Sequence, residues 1–205
     1  MSKFQLLLGT KNPGKVREAK KILRLPGHEL EVLSFKERDF PDVEETGDTY
    51  LENSLQKARA INESTGMPVL SDDSGLEIDA LDGAPGPLSA RFAGPDASDE
   101  ENLQLLLEKL EGTAYRTARF VTVATLYISP EERYVTRGEL VGKIINEPRG
   151  DSGFGYDPVF VPRGYEETLA QLGEKEKNEI SHRKKALEKM KVELEGVIRR
   201  RVKTD

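Results

Sequence analysis

Residues 4–35, FQLLLGTKNPGKVREAKKILRLPGHELEVLSF, decide the fold class. Residues 4–10 are a short apolar run that stops at Gly9-Thr10, the pattern of a buried strand. NPGKVREAKKIL then opens a helix. Asn12 suits the N-cap, and Pro13 suits the first helical position, where its missing N–H is no loss. ELEVLSF (29–35) alternates as a second strand. Strand, loop, helix and strand in succession predict an α/β protein with a sheet covered by helices.

Working outward, residues 49–66 (TYLENSLQKARAINESTG) predict a second helix, with Leu51, Leu55, Ala58 and Ile61 at helical spacing and a stop at Gly66. MPVLSDD (67–73) predicts a third strand ending in two acids. Residues 82–97 are a Gly/Pro-rich loop, long enough to suggest a role in function. Ser98 and Glu101 form a capping box ahead of a helix whose apolar stripe is Leu103, Leu106, Leu107 and Leu110. Two β-rich runs, 116–129 and 133–146, joined by Pro-Glu-Glu, predict an antiparallel hairpin and so a mixed sheet. A last amphipathic helix covers about 181–200, with Leu187, Met190, Leu194, Val197 and Ile198 facing inward. No repeat and no separating linker divides residues 1–205, so one domain, or two tightly joined lobes, is expected.

Composition narrows the function. The chain has 37 acidic and 31 basic residues, a net charge of −6. That balance argues against a protein that tracks nucleic-acid backbones, which needs a basic face. No run approaches the length of a membrane span, and MSKFQLLLGTKN is too short and soon too polar for a secretory signal. With no cysteine there is neither a disulfide framework nor a thiolate metal site. A cytoplasmic protein without membrane or nucleic-acid partners is expected. The abundant mixed charge would suit a heat-adapted source.

Four stretches carry chemistry. GTKNPGK (9–15) lies between a strand and a helix N-terminus, where free N–H groups and the helix dipole favour an anion. Thr10, Asn12 and Lys15 add donors and charge. It is not a P-loop, since Val16 stands where the hydroxyl belongs. Helix capping alone accounts for Asn12 and Pro13 but not for Lys15. Glu44-Glu45 in one loop and Asp72-Asp73 at a strand end supply carboxylates from separate segments. Acid pairs in loops are commonly just solvated, yet this is also how magnesium is held, by one or two carboxylates with substrate phosphates. Asp72 and Asp73 repel each other, so a positive group is expected beside them, and magnesium is the one expected. SGFGYDPVF (152–160) holds Phe154, Tyr156 and Asp157 among glycines that permit close approach of a ligand; Phe154 could stack on a base or simply pack in the core. Ser181 is a natural N-cap that places His182 and Arg183 in a first turn, where cations are disfavoured. With Lys177 nearby, these suit an anion or the polar edge of a heterocycle.

TKNPGK, EETGDTYLENSLQKA, SDDSGLEIDALDGAPGPLSARFAG, FGYDPVF and ISHRKKAL stand in the order and spacing of the inosine/xanthosine triphosphate pyrophosphatases. The chain resembles that family over about residues 4–195. The resemblance implies an elongated α/β protein with a long mixed sheet and two lobes, and an active-site cleft between them. It also implies a homodimer, a magnesium requirement, and hydrolysis of ITP, dITP and XTP between the α and β phosphates to monophosphate and pyrophosphate. Carried over by position, Thr10, Lys11, Asn12, Pro13, Gly14 and Lys15 would hold the triphosphate. Glu44 and Asp73 would serve the metal, Asp73 also acting as general base. Ser74 would contact substrate; Phe154, Gly155, Tyr156 and Asp157 would line the nucleoside pocket; and Lys177, His182 and Arg183 would meet the purine. Lys11 stands where many relatives have glycine, and cannot take a positive φ cheaply. A pyrophosphatase for a modified pyrimidine nucleotide and a non-catalytic nucleotide sensor are the alternatives. The His182–Arg183 donors favour a 6-oxopurine over the first, and the acids count against the second.

Overall fold

The computed structural model describes residues 3–202. Among them, β1 (Phe4–Leu8), α1 (Pro13–Ile22) and β2 (Leu30–Leu33) form the expected opening unit, with β1 and β2 parallel. α2 (Tyr50–Thr65) leads into β3 (Val69–Ile78), which also runs parallel to β1. After β4 (Pro85–Gly86) come α3 (Asp99–Lys109), β5 (Thr117–Tyr127), β6 (Arg133–Ile144), β7 (Phe160–Pro162), α4 (Glu174–Ile180) and α5 (His182–Val202). The strands form one mixed sheet in the order β2-β1-β3-β5-β6-β7, with β4 antiparallel to β3 and β7 antiparallel to β6.

The described residues divide into two compact units: one takes in residues to Asp73, Thr122–Gly138 and residues from Arg183; the other takes in Ser74–Val121 and Glu139–His182. In unit one, strand alternation sorts side chains between two cores. Leu6 and Leu8 of β1, Leu70 of β3, and Ala124 and Leu126 of β5 pack with Ala19 and Leu23 at α1 and with Leu187, Met190, Leu194, Val197 and Ile198 of α5. The intervening Leu7, Val69 and Tyr127 pack with Ala58 and Ile61 of α2. In unit two, Leu76 and Ile78 of β3 pack with Leu103, Leu106 and Leu110, Leu140 and Ile144, Tyr156 and Phe160.

The caps predicted at Asn12 and at Ser98–Glu101 stand, and the structure adds one at Thr49 that was not predicted. The Asn12 carboxamide accepts from the Gly14 and Lys15 N–H groups, Ser98 and Glu101 close a capping box, and Thr49 and Glu52 close another. Three expectations need correction. β3 does not end at the acid pair but continues to Ile78, because Leu76 and Ile78 are fully buried and Ser89 Oγ accepts from the Leu76 N–H at 2.8 Å. Leu51 does not face inward and is 44% exposed. The buried face of α2 is instead Tyr50, Asn53, Ser54, Ala58 and Ile61, two of whose members are polar residues with buried partners. Residues 82–97 are not an unstructured loop: β4 and a 3₁₀ turn at Ser89–Arg91 lie within them. The short helix α4 has no counterpart in the predicted elements.

Candidate active site

Unit one gathers most of the predicted site. At the end of β1 the chain passes close under its neighbours: a Cβ on Gly9 would come within 3.1 Å of Ser71 Cβ and Val69 Cγ1. That approach sets the following loop beside β3. The expectation that free N–H groups at the start of α1 receive an anion is corrected here. Gly14 N–H and Lys15 N–H donate to Asn12 Oδ1 at 2.8 and 3.2 Å, Val16 N–H donates to Asn12 O, and Pro13 has none. At the helix start, donors for an anion therefore come from side chains rather than from these N–H groups. Thr10 Oγ1 accepts from the Asn12 N–H at 3.2 Å. Lys11 takes no positive φ; its ammonium pairs with Asp42 at 2.9 Å and lies 5.6 Å from the Phe40 ring centroid.

The positive charge required beside the acid pair comes, for Asp72, from the chain itself rather than from magnesium. Lys15 Nζ donates to Asp72 Oδ2 at 2.7 Å, and Arg183 Nε donates to the same oxygen at 3.3 Å. Arg183 also pairs with Glu18 of α1 at 3.4 Å. Burial alone would push the Asp72 carboxyl up; Lys15, Arg183 and Lys57 outweigh it and hold the group well below the usual carboxylate range. Burial pushes the Lys15 ammonium down, Arg183 and Lys57 add to that, and Asp72 opposes it.

Asp73 points the other way, as the next residue of a strand must. Its Oδ2 accepts from Asn53 Nδ2 of α2 at 3.0 Å, and both residues are buried. Glu44 is exposed, and its neighbour Glu45 pairs with Lys57 of α2. Asn53, noted in the sequence with Glu52 after the acidic loop but given no role there, and Lys57, not noted individually, lie against these acids. Their four-residue spacing puts them on one helix face, directly after an acidic loop, and that is the signal that could have found them.

Unit two holds the rest. Phe154 is 67% exposed on a turn flanked by Gly153 and Gly155, both at positive φ. Asp157 fixes that turn by accepting from the Phe154 N–H at 3.0 Å, and Asp99 of α3 accepts from the Gly155 N–H at 2.7 Å. Lys177 of α4 pairs with Asp157, and its Nζ lies 4.8 Å from the Phe154 ring centroid. Tyr156 is buried and its hydroxyl donates to Ser89 O at 2.8 Å, so it ties the turn to the loop after β4. Burial pushes the Tyr156 hydroxyl pKa well up. His182 stacks on Phe120, 5.1 Å between centroids. Ser74 is half-buried on β3.

An α/β sheet in which buried Asp72 draws two half-buried cations, Lys15 and Arg183, to a strand–helix turn, with a second acid at the next strand position, has a charge set suited to an enzyme of anionic substrates. The comparisons make the class specific. The model of the Ham1 family matches residues 6–193. A dITP/XTP pyrophosphatase of Exiguobacterium sp. strain AT1b is 48% identical over 93% of this chain and 97% of its own. That of Aquifex aeolicus is 47% identical over 91% and 95%. Among solved structures, a HAM1 protein from Coxiella burnetii superposes with a TM-score of 0.87 at 40% identity, over 94% of this chain and 99% of that one. The chain belongs to the Ham1 family, and the resemblance carried by its motifs is borne out.

Proposed function

We propose that this protein hydrolyses the non-canonical purine nucleoside triphosphates dITP, XTP and ITP to monophosphate and pyrophosphate, removing them from the nucleotide pool. The observation that carries the proposal is near-complete similarity to proteins named dITP/XTP pyrophosphatase, 48% identical in one case. The geometry of unit one is consistent with the chemistry. Lys15, held against Asp72, offers positive charge to phosphate oxygens, and Asp73 is a carboxylate oriented by the Asn53 amide, suited to accept a proton from an attacking water. The exposed Phe154 ring, braced by Asp157 and Lys177, is suited to stack on a base, and Arg183 and His182 are donors suited to a 6-oxo group.

Enzymes of this kind generally need a divalent metal, and we assign magnesium. The donor set fits it: the chain has no cysteine, and Glu44 and Asp73 offer hard oxygen ligands. Among the described residues no three His, Cys, Asp or Glu side chains form a metal cluster. That agrees with an ion held by one or two carboxylates together with substrate phosphates. Such an ion would offset charge on the leaving pyrophosphate. We further propose that the chain acts as a single catalytic domain, in the cytoplasm, as a homodimer. Among the described residues no helix is long and apolar enough to cross a membrane.

The test is a substrate panel. With Mg²⁺, the protein should release pyrophosphate and monophosphate from ITP, dITP and XTP far faster than from ATP or GTP. Release of inorganic phosphate instead, or equal rates on ATP, would defeat the proposal.

A further inference from the structure

Asn53 is out of place by every local rule. It is 0% exposed, although polar side chains are seldom fully buried, and it sits in the first turns of α2, where asparagine is a poor helix former. A broken local rule with complete compensation points to function, and here the compensation is specific. The Gly47 N–H donates to Asn53 Oδ1 at 2.7 Å. Because a backbone N–H can only donate, the carboxamide oxygen must face Gly47, and its NH₂ is thereby directed at Asp73 Oδ2, 3.0 Å away. Aspartate, leucine or serine at this position could not serve both partners.

The neighbouring contacts make the link rigid. Glu52 Oε2 accepts from the Asp48 and Thr49 N–H groups, both at 3.0 Å, and Lys57 pairs with Glu45. Space at Gly47 is the second requirement. Its backbone is not at positive φ, but a Cβ there would lie 2.6 Å from Glu52 Cβ and 2.9 Å from Asn53 Oδ1. Only glycine lets the loop lie this close to the helix.

We propose that Asn53 is a positioning residue for the hydrolysis: it fixes the loop carrying Glu44 and Glu45 and the carboxylate of Asp73 in one arrangement, with Gly47 as its obligatory counterpart. The inference rests on the roles given above to Glu44 and Asp73. It extends them by naming what holds the two acids in register.

The experiment compares wild type, Asn53→Ala, Gly47→Ala, Asp73→Asn and the double variant Asn53→Ala/Asp73→Asn as full chains. Three quantities are read: steady-state kinetics on ITP, Mn²⁺ affinity by electron paramagnetic resonance with a non-hydrolysable ITP analogue, and the melting temperature. Loss of an outer-shell partner typically costs ~10–100-fold in activity or metal affinity. Asn53→Ala should therefore lower kcat by that factor with KM within ~3-fold, and weaken Mn²⁺ similarly. Because part of Asn53's effect passes through Asp73, the double variant should lose clearly less than the product of the two single losses. Fully multiplicative losses, or a lowered melting temperature with kcat and Mn²⁺ affinity intact, would overturn the proposal. Should Asn53→Ala not fold, Gly47→Ala decides: its Cβ presses on Glu52 Cβ and Asn53 Oδ1 and so disturbs the same link from the loop side, and unchanged kcat and Mn²⁺ affinity in it would equally overturn the link. A wild type that turns over no triphosphate would sink the proposed function instead. The positioning claim would then stand or fall on whether Asn53→Ala weakens Mn²⁺.

Discussion

On the face of the sheet covered by α1 and α5, Asp72 meets two cations, Lys15 at 2.7 Å and Arg183 at 3.3 Å. On the face covered by α2, Asp73 meets a neutral amide, Asn53, at 3.0 Å. Two adjacent carboxylates in a turn would lie close and repel. In a strand they point to opposite faces, and each acquires its own surroundings. The difference supports the separate roles proposed for the two acids. Asp72 gathers and aims positive charge, and its own charge is largely spent on that. Asp73 receives from the Asn53 amide a hydrogen bond that orients its carboxylate, which suits the general-base role proposed for it.

The strongest way to break the comparison is to neutralise the acid assigned to chemistry. Asp73→Asn should lower kcat on ITP by ~10²-fold or more, the range of a lost general base. The amide can still occupy the same space beside Asn53. Single-turnover measurement with saturating nucleotide would isolate the step, and near-normal turnover would reverse the roles given to the two faces.

Next in size is the cation that Asp72 aims. Lys15→Ala removes a charged donor, worth ~1.5–3 kcal/mol, or roughly 10–10²-fold in kcat/KM. A phosphate contact carries no information about the base, so ITP, XTP and ATP should lose by the same factor. A loss confined to one base would place Lys15 in the nucleoside pocket and dissolve its link with Asp72 as a phosphate-handling pair.

Much of this was legible in the chain. Capping signals and apolar runs gave the α/β opening, the hairpin and the long last helix, because those features are local. Local signals also misled where the deciding contact was distant. Ser74-Gly75 resembles a turn, yet β3 continues, since the burial of Leu76 and Ile78 belongs to packing in unit two. Leu51 looked like a core position because apolar counting cannot see that Asn53 and Ser54 face inward to Asp73 and Thr125. The acid pair announced a site, but its partners could not be read from spacing. Lys15 lies 57 positions from Asp72, and Arg183 lies 111 away. No periodicity spans such separations; only the parallel placement of β1 beside β3, and the return of α5 to the same face, brings them together.

The smallest effect on turnover, and the most diagnostic for the first face, is expected of Asp72→Asn. Its consequence should appear in stability. The variant takes from Lys15 and Arg183, whose side chains are 22% and 13% exposed, the carboxylate they share, leaving Arg183 only its pair with Glu18 among the contacts described. Breaking one partner out of such a cluster costs roughly 3 kcal/mol, the low end of the range for buried pairs. In a chain of this size that lowers the melting temperature by ~6–12 °C. The pH dependence identifies the cause. The folded-state pKa of Asp72 lies below its unfolded value, since Lys15, Arg183 and Lys57 together overcome the burial that would raise it. A depressed carboxylate pKa stabilises the folded state above the unfolded pKa of ~3.9, and that stabilisation is lost as pH falls toward the folded value. Urea unfolding of wild type and variant should thus give a stability difference that is constant from pH 7 down to ~5 and narrows below ~4. A difference that persists undiminished at pH 3 would mean that the carboxylate's charge is not what holds Lys15 and Arg183. The contrast between the two acids would then rest on shape rather than on charge.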